Sequence, residues 1–304
     1  MKLGDYSQNS PLKQASSSKG IKFYVGPFTV RLRTKNKDFI STFRDLYLDF
    51  PITSPENLAD FHIDLLPPKN YRRWLRPQIT FSVDGQKPFS PFSTSYAMLL
   101  FEWGFNWCIA RNSQQYLMLH AAVVEKNRKC LILPALPGSG KSTLAAALGL
   151  KGWRFLSDEF CLIRPTDSCI IPLPRPTPLK NESIEVMRKF APEAFIGPLF
   201  LNTRKGTIGH LRSQTKSIEK QDETGNPNWI IFPEYQSQSP LKLTPLTEPY
   251  TLLKLASNAF NYEIHGEIGF NLVTNLVNQC KCFNLTYGDL DEVISRLNQL
   301  ANDA

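Results

Sequence analysis

The sequence has no apolar stretch near the ~18 residues that a spanning helix requires. Its densest one, Tyr96 to Ala110, is broken by Glu102 and Asn106. A membrane-spanning protein is therefore not expected. There is also no C-x-x-C pair: the six cysteines are scattered, several inside apolar runs, and Cys280 and Cys282 have no nearby histidine to complete a four-ligand set. That excludes a zinc ribbon and a disulfide-stapled scaffold, and makes a reducing cytoplasm the expected compartment. Residues 1–20 lack an apolar core, being polar and rich in Ser and Gln, so they signal neither secretion nor insertion and read as a flexible tail. No internal repeat is present, which excludes a solenoid.

What is present is the composition of a folded chain. The 304 residues are 42% hydrophobic, 12% aromatic and 20% charged, enough for about two domains with ordinary cores. The net charge is +8, from 35 basic and 27 acidic residues, and it is spread along the chain. One knot stands out, Arg72, Arg73 and Arg76 beside Trp74. Without an interleaved repeat or a nucleic-acid module it reads as a solvated face, and neither nucleic acid nor membrane is expected as a partner. Oligomeric state is not encoded legibly.

Periodicity divides the chain in two. Alternating apolar residues predict strands on either side of Gly26-Pro27, over Asp60–Leu66 and over Gln78–Val83; helical spacing predicts helices from Asp38 to Phe50 and from Thr94 to Arg111. Residues 21–115 thus form an amino-terminal α+β unit whose many aromatics are read as core. From residue 116 to 304 the texture is α/β. His120–Glu125 and Lys129–Leu133 form a hairpin, and Ser142–Leu150 a helix ended by Gly152. Trp153–Arg164 is a strand and Asn181 caps a helix. Residues 213–228 form a loop or hinge, and further strands lie at Trp229–Pro233 and Cys282–Tyr287.

Between the second strand of that hairpin and the following helix lies Ala135-Leu136-Pro137-Gly138-Ser139-Gly140-Lys141-Ser142-Thr143. A glycine-rich loop in this context turns tightly, so that successive backbone N–H groups converge on phosphate oxygens at a helix amino terminus. Lys141 reaches the outer phosphates and the Ser142 hydroxyl ligates Mg²⁺. Pro137 to Thr143 are accordingly the expected ATP contacts. Ala135 replaces the first glycine of the usual pattern, but the phosphate-facing glycines remain.

Asp158, with Glu159 beside it, follows Lys141 by only seventeen residues. A helix of about ten residues carries the chain back ~15 Å, so the next strand is expected alongside the loop strand with a carboxylate near the phosphates. Motor and switch NTPases place the acidic magnesium partner much later, so an early carboxylate favours a compact phosphotransferase. Adjacent strand residues face opposite ways, so both acids serve the site only at a strand end or bulge. One would then hold Mg²⁺ while the other takes the acceptor proton.

His120-Ala121-Ala122, the loop ending Gly140-Lys141-Ser142-Thr143, and Leu156-Ser157-Asp158-Glu159 resemble, in order and kind, the core of HPr kinase/phosphorylase. That bacterial serine kinase is related in fold to phosphoenolpyruvate carboxykinase. Over nearly the whole chain, including Phe101-Glu102-Trp103-Gly104 and Leu179-Lys180-Asn181-Glu182-Ser183, the sequence more closely resembles the HPr kinase-related "kinase A" family. The resemblance implies an α/β P-loop kinase core of the HPr kinase/phosphoenolpyruvate carboxykinase type behind the α+β unit, using ATP and Mg²⁺. It further implies Asp158 as general base, Glu159 with Ser142 at the metal, Glu182 as a later metal glutamate, and His120 beside the catalytic carboxylate. The parent family has two aspartates where this chain has Asp158-Glu159, and its amino-terminal domain does not resemble residues 1–115.

Arg204 and Lys205, followed by Gly206, form a basic loop suited to neutralising transition-state charge over the phosphates. The activity expected is transfer of phosphate to a hydroxyl, a serine on a small protein or peptide. A small-molecule hydroxyl kinase and a nucleotide-binding scaffold without turnover are the alternatives.

Overall fold

The computed structural model describes the backbone of residues 1–5, 10–136 and 138–303, and the side chains of all of these except 10–12. The chain is mixed α/β and divides into two compact units, one of residues 1–113 and 195–212, the other of residues 114–194 and 213–304. Among the described residues no helix is long and apolar enough to cross a membrane.

The first unit is built on a five-stranded sheet. Ile21–Val25 and Phe28–Thr34 form a hairpin; Phe61–Leu66 then runs parallel to the second of these strands, and Gln78–Val83 and Phe92–Ser93 return antiparallel. Asn36 caps the helix Lys37–Leu46 by accepting a 2.9 Å hydrogen bond from the Phe39 N–H. The aromatics read as core are core: Phe23, Phe43, Tyr47, Phe101 and Phe105 are all buried, and Phe43 and Tyr47 stack with centroids 4.6 Å apart. The Tyr47 hydroxyl donates a 2.7 Å hydrogen bond to the buried Glu102 carboxylate, which keeps that charge from being stranded in the helix Ala97–Asn112.

Two boundaries differ from expectation. The expected tail is tied down where described: Leu3 and Ala15 are buried, the Leu3 N–H donates to Phe50 O at 3.0 Å and the Gly4 N–H to Leu48 O at 2.7 Å. Hydrogen bonding to residues some forty-five positions later has no local signature, so a polar stretch held in this way reads as free from its sequence. In addition, residues 195–212 belong to the first unit rather than to the glycine-loop unit. They carry a hairpin of Phe200–Thr203 and Gly206–Leu211, fixed by the Tyr96 hydroxyl donating to Leu201 O at 2.8 Å.

The second unit holds a six-stranded sheet in the order Lys242–Pro245, Lys281–Tyr287, Asn226–Tyr235, Lys129–Pro134, Ala121–Lys126, Arg154–Ser157. The middle three of these that include Lys129–Pro134 are parallel: Lys281–Tyr287 and Lys129–Pro134 both run with Asn226–Tyr235. Ala121–Lys126 is antiparallel to both of its neighbours. The parallel strands read Leu131, Ile132, Leu133 and Trp229, Ile230, Ile231, buried throughout as strands covered on both faces must be. The helix Lys141–Leu150 leaves the loop at the carboxyl end of Lys129–Pro134, and the carboxyl ends of parallel strands are where such sheets place ligands.

Candidate active site

The glycine loop leaves the sheet at Ala135. Gly138 and Gly140 both lie in the left-handed region, with φ of 92° and 85°, so the tight turn read from the sequence is made by the residues that make it most cheaply. Pro137 lies outside the described residues. Gly140 is required twice over: a Cβ there would stand 2.7 Å from the Tyr287 hydroxyl and 2.9 Å from Tyr235 Cβ. The Tyr235 N–H donates to Ser139 O at 3.0 Å, and the two tyrosine rings meet edge to face at 5.6 Å. Tyr287 is buried, and burial, with Tyr235 adding to it, pushes its phenol well above the ordinary range, so it stays neutral. The loop thus rests on two tyrosines from the ends of neighbouring strands.

The helix that follows begins with Gly140 as its cap and has no acidic side chain in its first turn. Its amino-terminal amides and partial positive charge are therefore not neutralised from within. Lys141 is buried, while Ser142 and Thr143 are half-buried on the first turn.

Asp158 reaches this place by a route other than the one expected. Its strand, Arg154–Ser157, does not lie beside the loop strand; Ala121–Lys126 intervenes, pairing Ala121 with Pro134 on one side and Val123 with Ser157 on the other. Two antiparallel steps restore direction, so the loop and the end of Arg154–Ser157 still emerge at the same edge of the sheet, two strand spacings or ~10 Å apart. The Lys141 side chain spans that gap. Its ammonium is 3.1 Å from Asp158 Oδ1, with the two side chains 7% and 3% exposed.

The electrostatics of Asp158 are set by competition. Burial alone would raise its pKa; the Lys141 charge, the nearby Ser142 hydroxyl and the Glu159 backbone N–H override it and hold the carboxyl below its ordinary value. Even so, neither carboxylate oxygen has a partner in full hydrogen-bond geometry, and the buried hydroxyls of Ser139 and Ser157 are likewise unsatisfied. Unsatisfied buried acceptors beside a loop of converging donors fit a site that completes itself with a ligand. Mg²⁺ is satisfied by one or two protein oxygens together with phosphates and water, so the Ser142 hydroxyl and one carboxylate of the Asp158-Glu159 pair fit that ion as a donor set.

The chain turns sharply after Ser157, and Glu159 takes φ of 72°, a left-handed conformation that breaks strand alternation. Asp158 and Glu159 therefore sit just past a strand end, where strand alternation no longer forces the two acids to opposite faces. His120 immediately precedes the intervening strand. Its backbone N–H donates to Asn258 O at 2.7 Å and its ring meets Phe260 edge-on at 5.6 Å. Burial first, then the Lys141 charge, lower its pKa; the carboxylates of Glu159 and Asp158 oppose this without reversing it. His120 is thus held neutral in the field of the residues named with it from the sequence.

Three further expected members are exposed side chains. Glu182 is exposed on the first turn of the helix Glu182–Phe190, and among the described residues no three His, Cys, Asp or Glu side chains stand close enough to hold a metal. Arg204 and Lys205 are exposed at the turn of the Phe200–Leu211 hairpin, which belongs to the first unit. Tyr235 and Tyr287 were missed. The only sequence signal is that Tyr287 ends the strand expected at Cys282–Tyr287, while Tyr235 lies two residues beyond the one expected at Trp229–Pro233.

No known family model matches the chain, and no curated protein is significantly similar to it.

Proposed function

We propose that this chain is an ATP- and Mg²⁺-dependent phosphotransferase with a P-loop kinase core of the HPr kinase type, acting on the hydroxyl of a serine in a small protein or peptide. The observation that carries the proposal is the buried Asp158 carboxylate, 3.1 Å from the Lys141 ammonium and without a hydrogen bond of full geometry, beside the glycine loop. When bound, the magnesium nucleotide supplies the transferable phosphoryl group and spreads its charge. The chain's residues do the rest.

Backbone amides from Gly138 to Lys141 and the first turn of the helix hold the phosphates, with Lys141 on the outer ones and Ser142 on the metal. Lys141 is shared, because the charge it gives to a phosphate it withdraws from Asp158. That withdrawal raises the basicity of Asp158, which is ionised beforehand and so able to accept the proton of the attacking hydroxyl. Glu159, next in the chain at the strand end, is the carboxylate for the metal. His120, kept neutral, offers a hydrogen-bonding nitrogen beside them.

The test is to incubate the purified chain with γ-labelled ATP, Mg²⁺ and small serine-bearing proteins, then map the labelled residue. Asp158→Asn should abolish transfer while leaving nucleotide binding intact. Transfer by that variant at the native rate would overturn the assignment, and binding without any transfer by the native chain would favour the scaffold.

A further inference from the structure

The connection between Phe61–Leu66 and Gln78–Val83 in the first unit puts its apolar residues in water. Tyr71, Trp74 and Leu75 are 60%, 72% and 63% exposed, in succession around Arg72 and Arg73. Single exposed apolar residues are common, but three at one tip, with a tryptophan at the centre, are not.

The tip is also braced by its own hydrogen bonds. The Asn70 side chain accepts from the Arg72 N–H at 3.0 Å, and the N–H groups of both Trp74 and Leu75 return to Tyr71 O at 3.1 and 3.0 Å. Arg76 then adopts φ of 48°, an unfavourable conformation for a residue with a Cβ, just before Pro77. A chain held in a strained turn to present a tryptophan outward has a use for that face.

Charge gives the kind of partner. Arg72, Arg73 and Arg76 lie in the connection, and Lys69 opens it. Lys35 and Lys37 follow Phe28–Thr34, which runs parallel to Phe61–Leu66 with Thr34 beside Leu65, so they emerge at the same sheet edge. Among the described residues none of these six has a carboxylate at ion-pair distance, and the acid beside them is the exposed Asp38. The guanidinium of Arg73 lies over the Trp74 ring at 4.7 Å and that of Arg72 over Tyr71 at 5.3 Å. A ring face already covered by a guanidinium is not a platform for stacking a base, and the aliphatic Leu75 has nothing to offer nucleic acid. Amphipathic rings flanked by arginines, with an aliphatic tip, instead match the boundary between lipid headgroups and acyl chains.

We propose that residues 69–77, with Lys35 and Lys37, form a docking surface for an anionic lipid bilayer, Trp74 and Leu75 entering the headgroup boundary and the basic side chains pairing with lipid phosphates and carboxylates. This needs no spanning helix and is independent of the phosphotransfer proposal. Attachment of this kind combines shallow apolar insertion with roughly additive contributions from each cation.

The experiment is co-sedimentation of the full chain with phosphatidylcholine vesicles containing about 30% phosphatidylserine, against vesicles of phosphatidylcholine alone. The expected result is binding to the anionic vesicles only, falling steeply between about 0.1 M and about 0.5 M salt. Trp74→Ala with Leu75→Ala should weaken it about tenfold and Arg72→Gln or Arg73→Gln about fivefold each, with circular dichroism unchanged because these side chains are exposed. Absence of binding, equal binding to neutral vesicles, or native binding by the Trp74/Leu75 variant would overturn the proposal. So would preferential binding of duplex DNA or of an acidic polypeptide through the same residues, which would assign the surface to that partner instead.

Discussion

Lys141 and Asp158 come from opposite sides of a strand that belongs to neither, and yet their ammonium and carboxylate lie 3.1 Å apart, almost fully buried. Each charge is tolerated because of the other. Lys141→Met leaves the carboxylate buried and unpaired, and the expected cost is about 3–5 kcal/mol of folding stability, read by urea denaturation. Combining it with Asp158→Leu removes both charges, and the double variant should recover much of that loss. A double variant as unstable as the sum of the two single ones would show that the pair does not couple.

The pH dependence follows from the direction of each shift. The Asp158 carboxyl is held below its ordinary value in the folded chain, so its contribution is present above the unfolded pKa of about 3.9 and is lost as pH falls through the lower, folded one. His120 is also held low, by burial and then by Lys141, so the folded state resists its protonation. Stability from His120 is therefore present above about pH 6.5 and is lost as pH falls toward and through the folded pKa. Urea midpoints at neutral pH and at about pH 5.5 should differ less for His120→Asn than for the native chain, and those below pH 4 less for Asp158→Asn. An imidazole that titrates by NMR above the unfolded value would contradict the first expectation.

The two loop glycines separate conformational strain from crowding. Gly138 has φ of 92° but open space around a would-be Cβ, so Gly138→Ala costs the left-handed penalty alone, about 1–2 kcal/mol. Gly140→Ala adds contacts at 2.7 Å with Tyr287 and 2.9 Å with Tyr235, bringing the total to about 2–5 kcal/mol and displacing the loop from its support. Fluorescent ATP analogue binding should fall further for Gly140→Ala than for Gly138→Ala. Equal effects would mean that the tyrosines do not brace the loop.

How the sequence disclosed these parts depends on how local each one is. The loop between an apolar run and a Leu/Ala-rich helix is encoded by consecutive residues, as is the carboxylate pair at 158–159, and both were readable. The pairing of Ala121–Lys126 between the loop strand and Arg154–Ser157 was not, because antiparallel insertion and direct adjacency leave the same pattern in each strand. Tyr235 and Tyr287 reach the loop from about a hundred residues or more away, through strand register alone. Likewise Trp74 was legible as part of a basic knot, but its 72% exposure, on which the proposed docking surface rests, was not.

Gly104 shows the same non-locality in the first unit and yields a prediction with a built-in control. In the middle of the helix Ala97–Asn112 a glycine costs about 1 kcal/mol relative to alanine, so propensity alone recommends Gly104→Ala. The helix, however, crosses the Gln78–Val83 strand so closely that an added Cβ would lie 2.1 Å from Phe81 Cε2, well inside contact distance, against a ring that is itself fully buried. Overpacking of this kind outweighs the helical gain, and a net loss of about 1–3 kcal/mol is expected, read as a lower urea midpoint with an unchanged slope. Phe81→Leu vacates the space that the new methyl needs. Gly104→Ala combined with Phe81→Leu should therefore be more stable than the two single losses predict, a positive coupling that a methyl pointing into open space would not produce.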